Sequence, residues 1–162
     1  MKQVFQSLSS GDVFLLDTPV PKAGKGKILI KTSLSLVSAG TERFLIDFGK
    51  SNIFQKALKQ PDRLKEVFDK TKTDGIANTF KSVQSKLDEP LPLGYCNVGK
   101  IIALGEGVSN FKVGQRVVSN GYHAEIVSVS KNLCAAIPDN VSDSQAVFTV
   151  LGAVGLQGIR LI

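Results

Sequence analysis

The spacing of apolar residues changes twice along this chain, and that change constrains the fold more than any single motif. Residues 1–38 and 90–138 consist of short β-rich runs, whereas residues 41–88 follow a helical period. A further helical signal covers residues 142–162. The pattern predicts an α+β fold that is mainly β, with a helical insertion and C-terminal helices.

Turn residues separate the β-rich runs. Before the insertion the runs read KQVFQS, VFLLD and ILIKTSLSLVS, and Pro19 and Pro21 should end the second run because proline cannot donate to a sheet. After the insertion they read NVGKIIALG, QRVVSN, HAEIVSVS and NLCAAIP. Many short strands with glycine-bearing turns predict a barrel or a sandwich.

Residues that favour helix ends occur at intervals in the helical regions. Ser51 and Asp74 fit N-caps within the insertion, and Pro61 fits a first helical position. Ser142 fits the N-cap of a C-terminal helix. We expect three or four short amphipathic helices in the insertion, packed on the β-rich core.

Composition and charge narrow the class of partner. The 162 residues include 20 Lys and Arg against 14 Asp and Glu, and 43% are hydrophobic, which suffices for one sizeable core. The positive excess is dispersed, and the group Lys22, Lys25, Lys27 and Lys31 lacks the interleaved aromatic residues of a nucleic-acid binder. We therefore expect a solvated surface there and no nucleic-acid partner.

The cysteines and the N-terminus indicate a cytoplasmic protein. Cys96 and Cys134 lie in separate apolar runs without C-x-x-C spacing, so neither a disulfide framework nor a thiolate zinc site is indicated. The first residues lack the apolar core of a signal peptide, and no apolar run reaches the length of a membrane span. We expect reduced thiols and no membrane partner.

The sequence from Pro90 onward resembles a known family. It carries the glycine-bearing loop PLPLGYC, the turn IIALGEGV, the run VGQRV, and then AE and IPD. This series is similar to the N-terminal catalytic domain of medium-chain dehydrogenase/reductases, which include zinc-dependent alcohol dehydrogenases and quinone oxidoreductases. SAGTER, followed by the insertion and LPLGYCNVG, resembles the dehydrogenase half of bacterial two-part oxidoreductases.

The resemblance implies a GroES-like, partly open β-barrel over residues 1–140, with the helical insertion at 41–89. Residues 141–162 would be helices leading into a Rossmann domain, which in the family binds NAD(P) across a cleft. Here no G-x-G-x-x-G follows a predicted strand, because Gly105 and Gly107 lack a third glycine. We expect the Rossmann domain, or its equivalent, to be a missing partner and this truncated lobe to be inactive alone.

The positions that hold zinc ligands in the family carry other residues in this chain. Zinc members carry a Cys before the first Gly-Thr/Ser-Asp/Glu loop and a His-Glu pair after the Gly of the second loop, whereas this chain has Ala39 and Tyr95 there. The family's four-cysteine structural lobe is also missing from the sequence. We expect no metal, since a site improvised from Glu42, Cys96 and His123 has no ligand spacing to support it.

Without zinc, the resemblance implies that side chains activate the oxygen of a small-molecule carbonyl or enone substrate while a nicotinamide supplies hydride. Tyr95 stands at a ligand's place, and Thr41 stands where relatives use a Ser or Thr hydroxyl. We expect Tyr95 to donate a proton and Thr41 to orient the oxygen. The structural alternatives are a half-buried Tyr95 ring bonded to the backbone and Thr41 as a helix N-cap.

Three further residues are candidate catalytic groups. His123 is the only histidine, and an imidazole titrates near neutral pH, but relatives carry G-Y-A-E here, so a solvent-facing variation is the alternative. Cys96 is either a nucleophile or a small buried apolar residue. Glu42 is either a general base or a member of a structural salt bridge.

A non-enzymatic interpretation competes with the oxidoreductase. The same GroES-like barrel would then serve as a protein-association module, because a fold does not fix a function. The apolar tail FTVLGAVGLQGIRLI would be an exposed patch if nothing covered it, and would promote a homo-oligomer.

Overall fold

The computed structural model of this chain describes residues 1–51, 85 and 87–161. The helices predicted to begin near Pro61 and Asp74 lie outside the described residues. The described strands are β1 (Lys2–Gln6), β2 (Val13–Asp17), β3 (Lys27–Ser35), β4 (Leu91–Pro92), β5 (Asn97–Leu104), β6 (Arg116–Ser119), β7 (Ile126–Ser130) and β8 (Cys134–Ala136). The described helices are α1 (Thr41–Lys50), α2 (Asp143–Ala146) and α3 (Thr149–Arg160), with a 3₁₀ turn at Lys131–Leu133.

The chain divides into two compact units. The first unit comprises Met1–Val4, Leu15–Ser38 and Pro92–Ile162, and the second comprises Phe5–Phe14 and Ala39–Leu91. The first unit contains a five-stranded sheet in the order β7-β3-β5-β6-β8. The second contains α1, where Gln6 Nε2 donates to the carbonyl of Leu45 at 2.7 Å. A further sheet has the strand order β2-β1-β4.

The five-stranded sheet is centred on β3, the longest described strand. β3 pairs antiparallel with β7 on one side and with β5 on the other. Its residues Ile28, Leu29 and Ile30 are at most 8% exposed, which fits a strand covered on both faces. The predicted mainly β fold with helices is therefore confirmed.

Both faces of this sheet are packed. Successive side chains of a strand point to opposite faces, and in β6 Val117 joins one apolar cluster while Val118 joins another. The first cluster also contains Ile28 and Ile30 of β3 and Ile101 of β5. The second, which also holds residues of α2, consists of Cys96, Val98, Val118, Ile137, Ala146 and Val147.

Two predicted helix ends can be compared with the structure. Ser142 is the N-cap of α2, and a reciprocal pair of hydrogen bonds with Gln145 forms a capping box, so this prediction is confirmed. Thr41 as N-cap of α1 is wrong. Gly40 is the N-cap, with φ −85° and ψ −68°, so the backbone is already helical there and Thr41 is the first residue inside the helix.

Ser51 lies at the other end of α1. It is the C-cap, and its hydroxyl donates to the carbonyl of Asp47 at 2.7 Å, while its predicted role as an N-cap concerns a helix outside the described residues. In the described part of the chain no helix combines the length and the apolar character needed to cross a membrane.

Asp143 joins α2 to the sheet. Its Oδ1 accepts hydrogen bonds from Arg116 Nε at 3.0 Å and Arg116 Nη2 at 2.6 Å, and its Oδ2 accepts from Ser33 Oγ at 2.6 Å. These hydrogen bonds, first from Ser33 and then from Arg116, hold the pKa of the Asp143 carboxyl below its usual range. The ionised carboxylate is therefore the form that the fold stabilises.

Asp143→Asn should lower the free energy of unfolding by about 1 kcal/mol at pH 7, a value reduced because a third of the carboxylate side chain is exposed. A lowered folded pKa contributes stability above the unfolded pKa, and that contribution is lost as pH falls through the folded value. The difference between wild type and variant should thus shrink below about pH 4 in urea titrations. Glu106→Gln, in the exposed Lys25 pair, is the control and should change nothing measurable. A difference in the free energy of unfolding that stays the same below about pH 4 would contradict this account.

Candidate functional site

The five predicted site residues fall in both units. Tyr95, Cys96 and His123 belong to the first unit, and Thr41 and Glu42 open α1 in the second. Glu42 is 4% exposed, which fits a structural position better than an accessible base. Of the five, Tyr95, Cys96 and His123 therefore lie in the unit that holds the five-stranded sheet.

His123 is buried and held by a serine. Its side chain is 8% exposed, and Nδ1 lies 2.9 Å from Ser35 Oγ at the end of β3. The alternative that placed this histidine in solvent is wrong. An imidazole held against a hydroxyl in a fixed direction is suited to proton transfer.

Gly94 forms the surface on which the imidazole packs. Its φ of +97° is a conformation that favours glycine, and a Cβ added there would lie 2.7 Å from His123 Cγ and 2.8 Å from Nδ1. The backbone N–H of His123 also donates to the carbonyl of Leu93 at 2.8 Å. The loop that precedes Tyr95 is thereby joined directly to the histidine.

A β-bulge brings two hydroxyls of β3 to the same segment. Thr32 pairs with Gly99 and Leu34 with Val98, so one extra residue, Ser33, is accommodated between these two pairs. In a regular strand residues 32 and 35 would point to opposite faces. Because of the bulge, Thr32 Oγ1 donates to the carbonyl of Ala124 at 2.6 Å while Ser35 reaches the ring of residue 123.

Thr32, Ser35 and Asn97 are not among the predicted site residues. The available signal was polarity, because each is a polar residue in a run otherwise typical of a buried strand. Asn97 is 0% exposed, and its Nδ2 donates to Thr32 Oγ1 at 2.9 Å. Buried polar side chains in a strand require partners, and here the partners lie beside His123.

Tyr95 and Cys96 pack on the second apolar cluster. Tyr95 is partly buried against it, and Cys96 is a member at 1% exposure. Both cysteines are free thiols, and burial raises the pKa of Cys134 to about 11. The environment of Cys96 is that of a packing residue, since reactive thiolates sit in accessible, electropositive surroundings.

The described residues do not fit a zinc ion. Structural and catalytic zinc sites need at least three protein ligands from Cys, His, Asp or Glu. Among residues 1–51, 85 and 87–161 no group of three such side chains is close enough to hold a metal. Ala39 and Tyr95, at the two changed ligand positions, supply neither an imidazole nor a thiolate.

An open groove of about 510 Å³ lies next to the histidine segment in the first unit. Tyr122, Ala124 and Pro19 line it, whereas His123 is not among the described residues of its wall. This groove is therefore not the place where the His123 imidazole would meet a substrate.

Gly94→Ala should lower the free energy of unfolding by about 3 kcal/mol, because a strained φ and a clash with the imidazole act together. Gly107→Ala is the matched control, since its φ is +76° but no described atom lies within 4 Å of the added Cβ. That variant should lose only about 1 kcal/mol, from strain alone. Urea denaturation of both variants measures the difference, and equal losses would refute the Gly94–His123 contact.

The sequence of this chain is similar to the sequences of known dehydrogenases. The sequence profile of the "Alcohol dehydrogenase GroES-like domain" matches residues 71–158. The (R,R)-butanediol dehydrogenase of Bacillus subtilis (strain 168) is 29% identical over 98 residues, covering 44% of this chain and 28% of the relative.

Solved structures share the fold. The 2R,3R-butanediol dehydrogenase from Bacillus subtilis has a TM-score of 0.64 at 20% identity, covering 98% of this chain and 46% of its own. A mycobacterial protein solved in complex with NADPH has a TM-score of 0.59 at 22% identity, covering 91% of this chain and 37% of its own. This chain thus spans less than half the length of these relatives. Because the profile matches more than half of the 162 residues, the chain belongs to the alcohol dehydrogenase GroES-like domain family of the medium-chain dehydrogenase/reductases.

Proposed function

We propose that this chain is the substrate-side lobe of an NAD(P)-dependent oxidoreductase that acts on a small carbonyl compound or alcohol. The family match over residues 71–158 supports the reaction class. The relative named as a butanediol dehydrogenase supports an alcohol or ketone substrate, and the neighbour solved with NADPH supports a nicotinamide cofactor.

The described residues do not fit a dinucleotide. The pairings that build the five-stranded sheet are antiparallel, whereas dinucleotide sites lie at the carboxyl ends of parallel strands. Gly105 and Gly107 lie in the connection between β5 and β6, where no described helix begins. We therefore assign nucleotide binding to a Rossmann domain, in the same polypeptide or on a separate partner.

Carbonyl reduction needs a hydride, which a bound nicotinamide supplies, and a proton, which we assign to this chain. The observation that carries this assignment is the buried His123 imidazole, held between Ser35 Oγ and Gly94. Tyr95, which follows Gly94, is the second proposed donor. A histidine side chain can donate a proton to a substrate oxygen and take one up again in each turnover.

The other candidates take different parts in this proposal. The role of the Thr41 hydroxyl in orienting a substrate oxygen stays a prediction, because Thr41 belongs to the second unit. Cys96 and Glu42 have structural roles, because they are 1% and 4% exposed. The reaction is proposed to be independent of zinc, which the substitution of Ala39 and Tyr95 at the ligand positions supports.

A second candidate function, protein association, rests on α3. Val154, Ile159 and Leu161 of this region are 68%, 70% and 77% exposed, and neighbouring exposed apolar side chains form interaction surfaces. Light scattering of the 162-residue chain discriminates the two functions. A concentration-independent monomer that binds no apolar dye would rule out association through this helix.

His123→Gln and Tyr95→Phe should each lower kcat by about 100-fold or more in the protein that contains this chain with its nucleotide-binding domain. Each substitution removes a group that can give its proton to the ketone oxygen. Steady-state oxidation of NADPH with ketone substrates measures both rates.

The controls separate the chemistry from folding and from metal. Glu106→Gln is surface-exposed and should keep wild-type kcat. Treatment with a chelator should leave the activity intact. Stoichiometric zinc that is lost together with activity, or saturable NADPH binding by the 162-residue chain alone, would overturn the proposal.

A further inference from the structure

The backbone around His123 is hydrogen-bonded on several sides. The N–H of Ala124 donates to the carbonyl of Tyr122 at 3.0 Å, which places His123 at the centre of a three-residue γ-turn. The N–H of His123 donates to Leu93 O at 2.8 Å, and its carbonyl accepts from the N–H of Val4 at 2.9 Å. The histidine backbone therefore cannot turn without breaking hydrogen bonds.

A connected pair of side chains holds the two carbonyls that flank this histidine. Thr32 Oγ1 donates to the carbonyl of Ala124 at 2.6 Å. Asn97 Nδ2 donates to Thr32 Oγ1 at 2.9 Å and, at the longer distance of 3.4 Å, to the carbonyl of Tyr122. A threonine hydroxyl has one proton, so its donation to Ala124 leaves its lone pairs to accept from Asn97.

Stability alone does not explain an amide at position 97. The side chain is 0% exposed, and Oδ1 has no hydrogen-bond partner within the described part of the chain. An unsatisfied buried acceptor destabilises a fold, and an apolar residue of similar size would avoid that cost. What the amide contributes is its donor group, and that group is directed at Thr32 and at the turn.

We propose that Thr32 and Asn97 are positioning residues for His123. By holding both carbonyls of the γ-turn, they fix the direction in which the imidazole leaves the backbone and keep Nδ1 within reach of Ser35. The bulge at Ser33 is the local feature that lets residues 32 and 35 act on one segment. The importance of this arrangement for turnover rests on the proposed function, whereas the positioning itself does not.

The lone histidine makes the positioning measurable in the 162-residue chain, because its ring signals need no assignment. Thr32→Val removes the hydroxyl at nearly constant volume, and Thr32→Ser restores it. We expect the nuclear Overhauser contact between the imidazole protons and the α protons of Gly94 to be lost in Thr32→Val and regained in Thr32→Ser. The imidazole chemical shifts should follow the same pattern.

Ser33→Ala is the matched control. Ser33 is the next residue of the same strand, and its hydroxyl donates to Asp143 Oδ2 at 2.6 Å and lies 3.2 Å from the Val98 carbonyl. Its loss should destabilise the fold as Thr32→Val does, yet leave the imidazole signals in place. Ser33→Ala therefore shows whether a weaker fold alone changes the imidazole signals.

Asn97→Leu provides a second variant if Thr32→Val fails to fold. It removes both donations and also the unsatisfied acceptor, so the imidazole signals should move while the urea midpoint of unfolding stays close to that of wild type. Unchanged imidazole shifts and an intact contact to Gly94 in Asn97→Leu or in Thr32→Val would overturn the proposal.

Turnover separates this inference from the proposed function. In the protein with its nucleotide-binding domain, Thr32→Val should lower kcat about tenfold with little change in KM, and Thr32→Ser should restore it. If the imidazole moves but His123→Gln itself leaves kcat unchanged, the positioning stands and the proton-transfer role is wrong. If His123→Gln is inactive and the imidazole does not move in Thr32→Val, the positioning is wrong and the function stands.

Discussion

The arrangement of the first unit depends on the two-sided pairing of β3. Hydrogen bonds to β5 and β7 fix the register of this strand over most of its length, and Ile28, Leu29 and Ile30 are buried. A shift by one residue would exchange the faces of every side chain. Because the register of β3 is fixed, the bulge at Ser33 near its end has a defined position and does not let the strand shift against its neighbours.

That irregularity, the bulge at Ser33, divides the strand into two parts with different tasks. Before it, Ile28 and Ile30 contribute only to the core. From it onward two serine hydroxyls bind other segments: Ser33 binds Asp143, and Ser35 binds His123. Bulges occur often beside functional sites because they redirect a side chain without ending a strand.

Much of the secondary structure could be predicted from the sequence because it follows from local rules. The strand ending before Pro19 and the helix opening at Ser142 need only the missing donor of proline and the hydroxyl of serine. The start of α1 was missed by one residue, since Gly40 adopts a helical conformation that its type does not require. The sequence indicates the backbone conformation only weakly at a glycine, because glycine adopts many conformations.

The candidate site was predicted only in part, because its contacts join distant segments. Tyr95 and His123 were found through a motif, whereas Ser35 and Asn97 became visible only when the register of β3 with β5 was known. A bulge leaves no clear mark in sequence, so no count of alternating residues could place positions 32 and 35 on one side. The polarity of Thr32, Ser35 and Asn97 within strand-like runs was the available hint.

The helix α3 is held very differently from the sheet. Val150 and Leu151 attach its first turn to the second apolar cluster, but beyond them Gly152, Gly155 and Gly158 have no described atom within 4 Å of where a Cβ would stand. Each glycine costs a helix about 1 kcal/mol relative to alanine. On warming, the end of this helix should therefore fray back toward its anchored turn well before the strands separate, and amide exchange there should be fast.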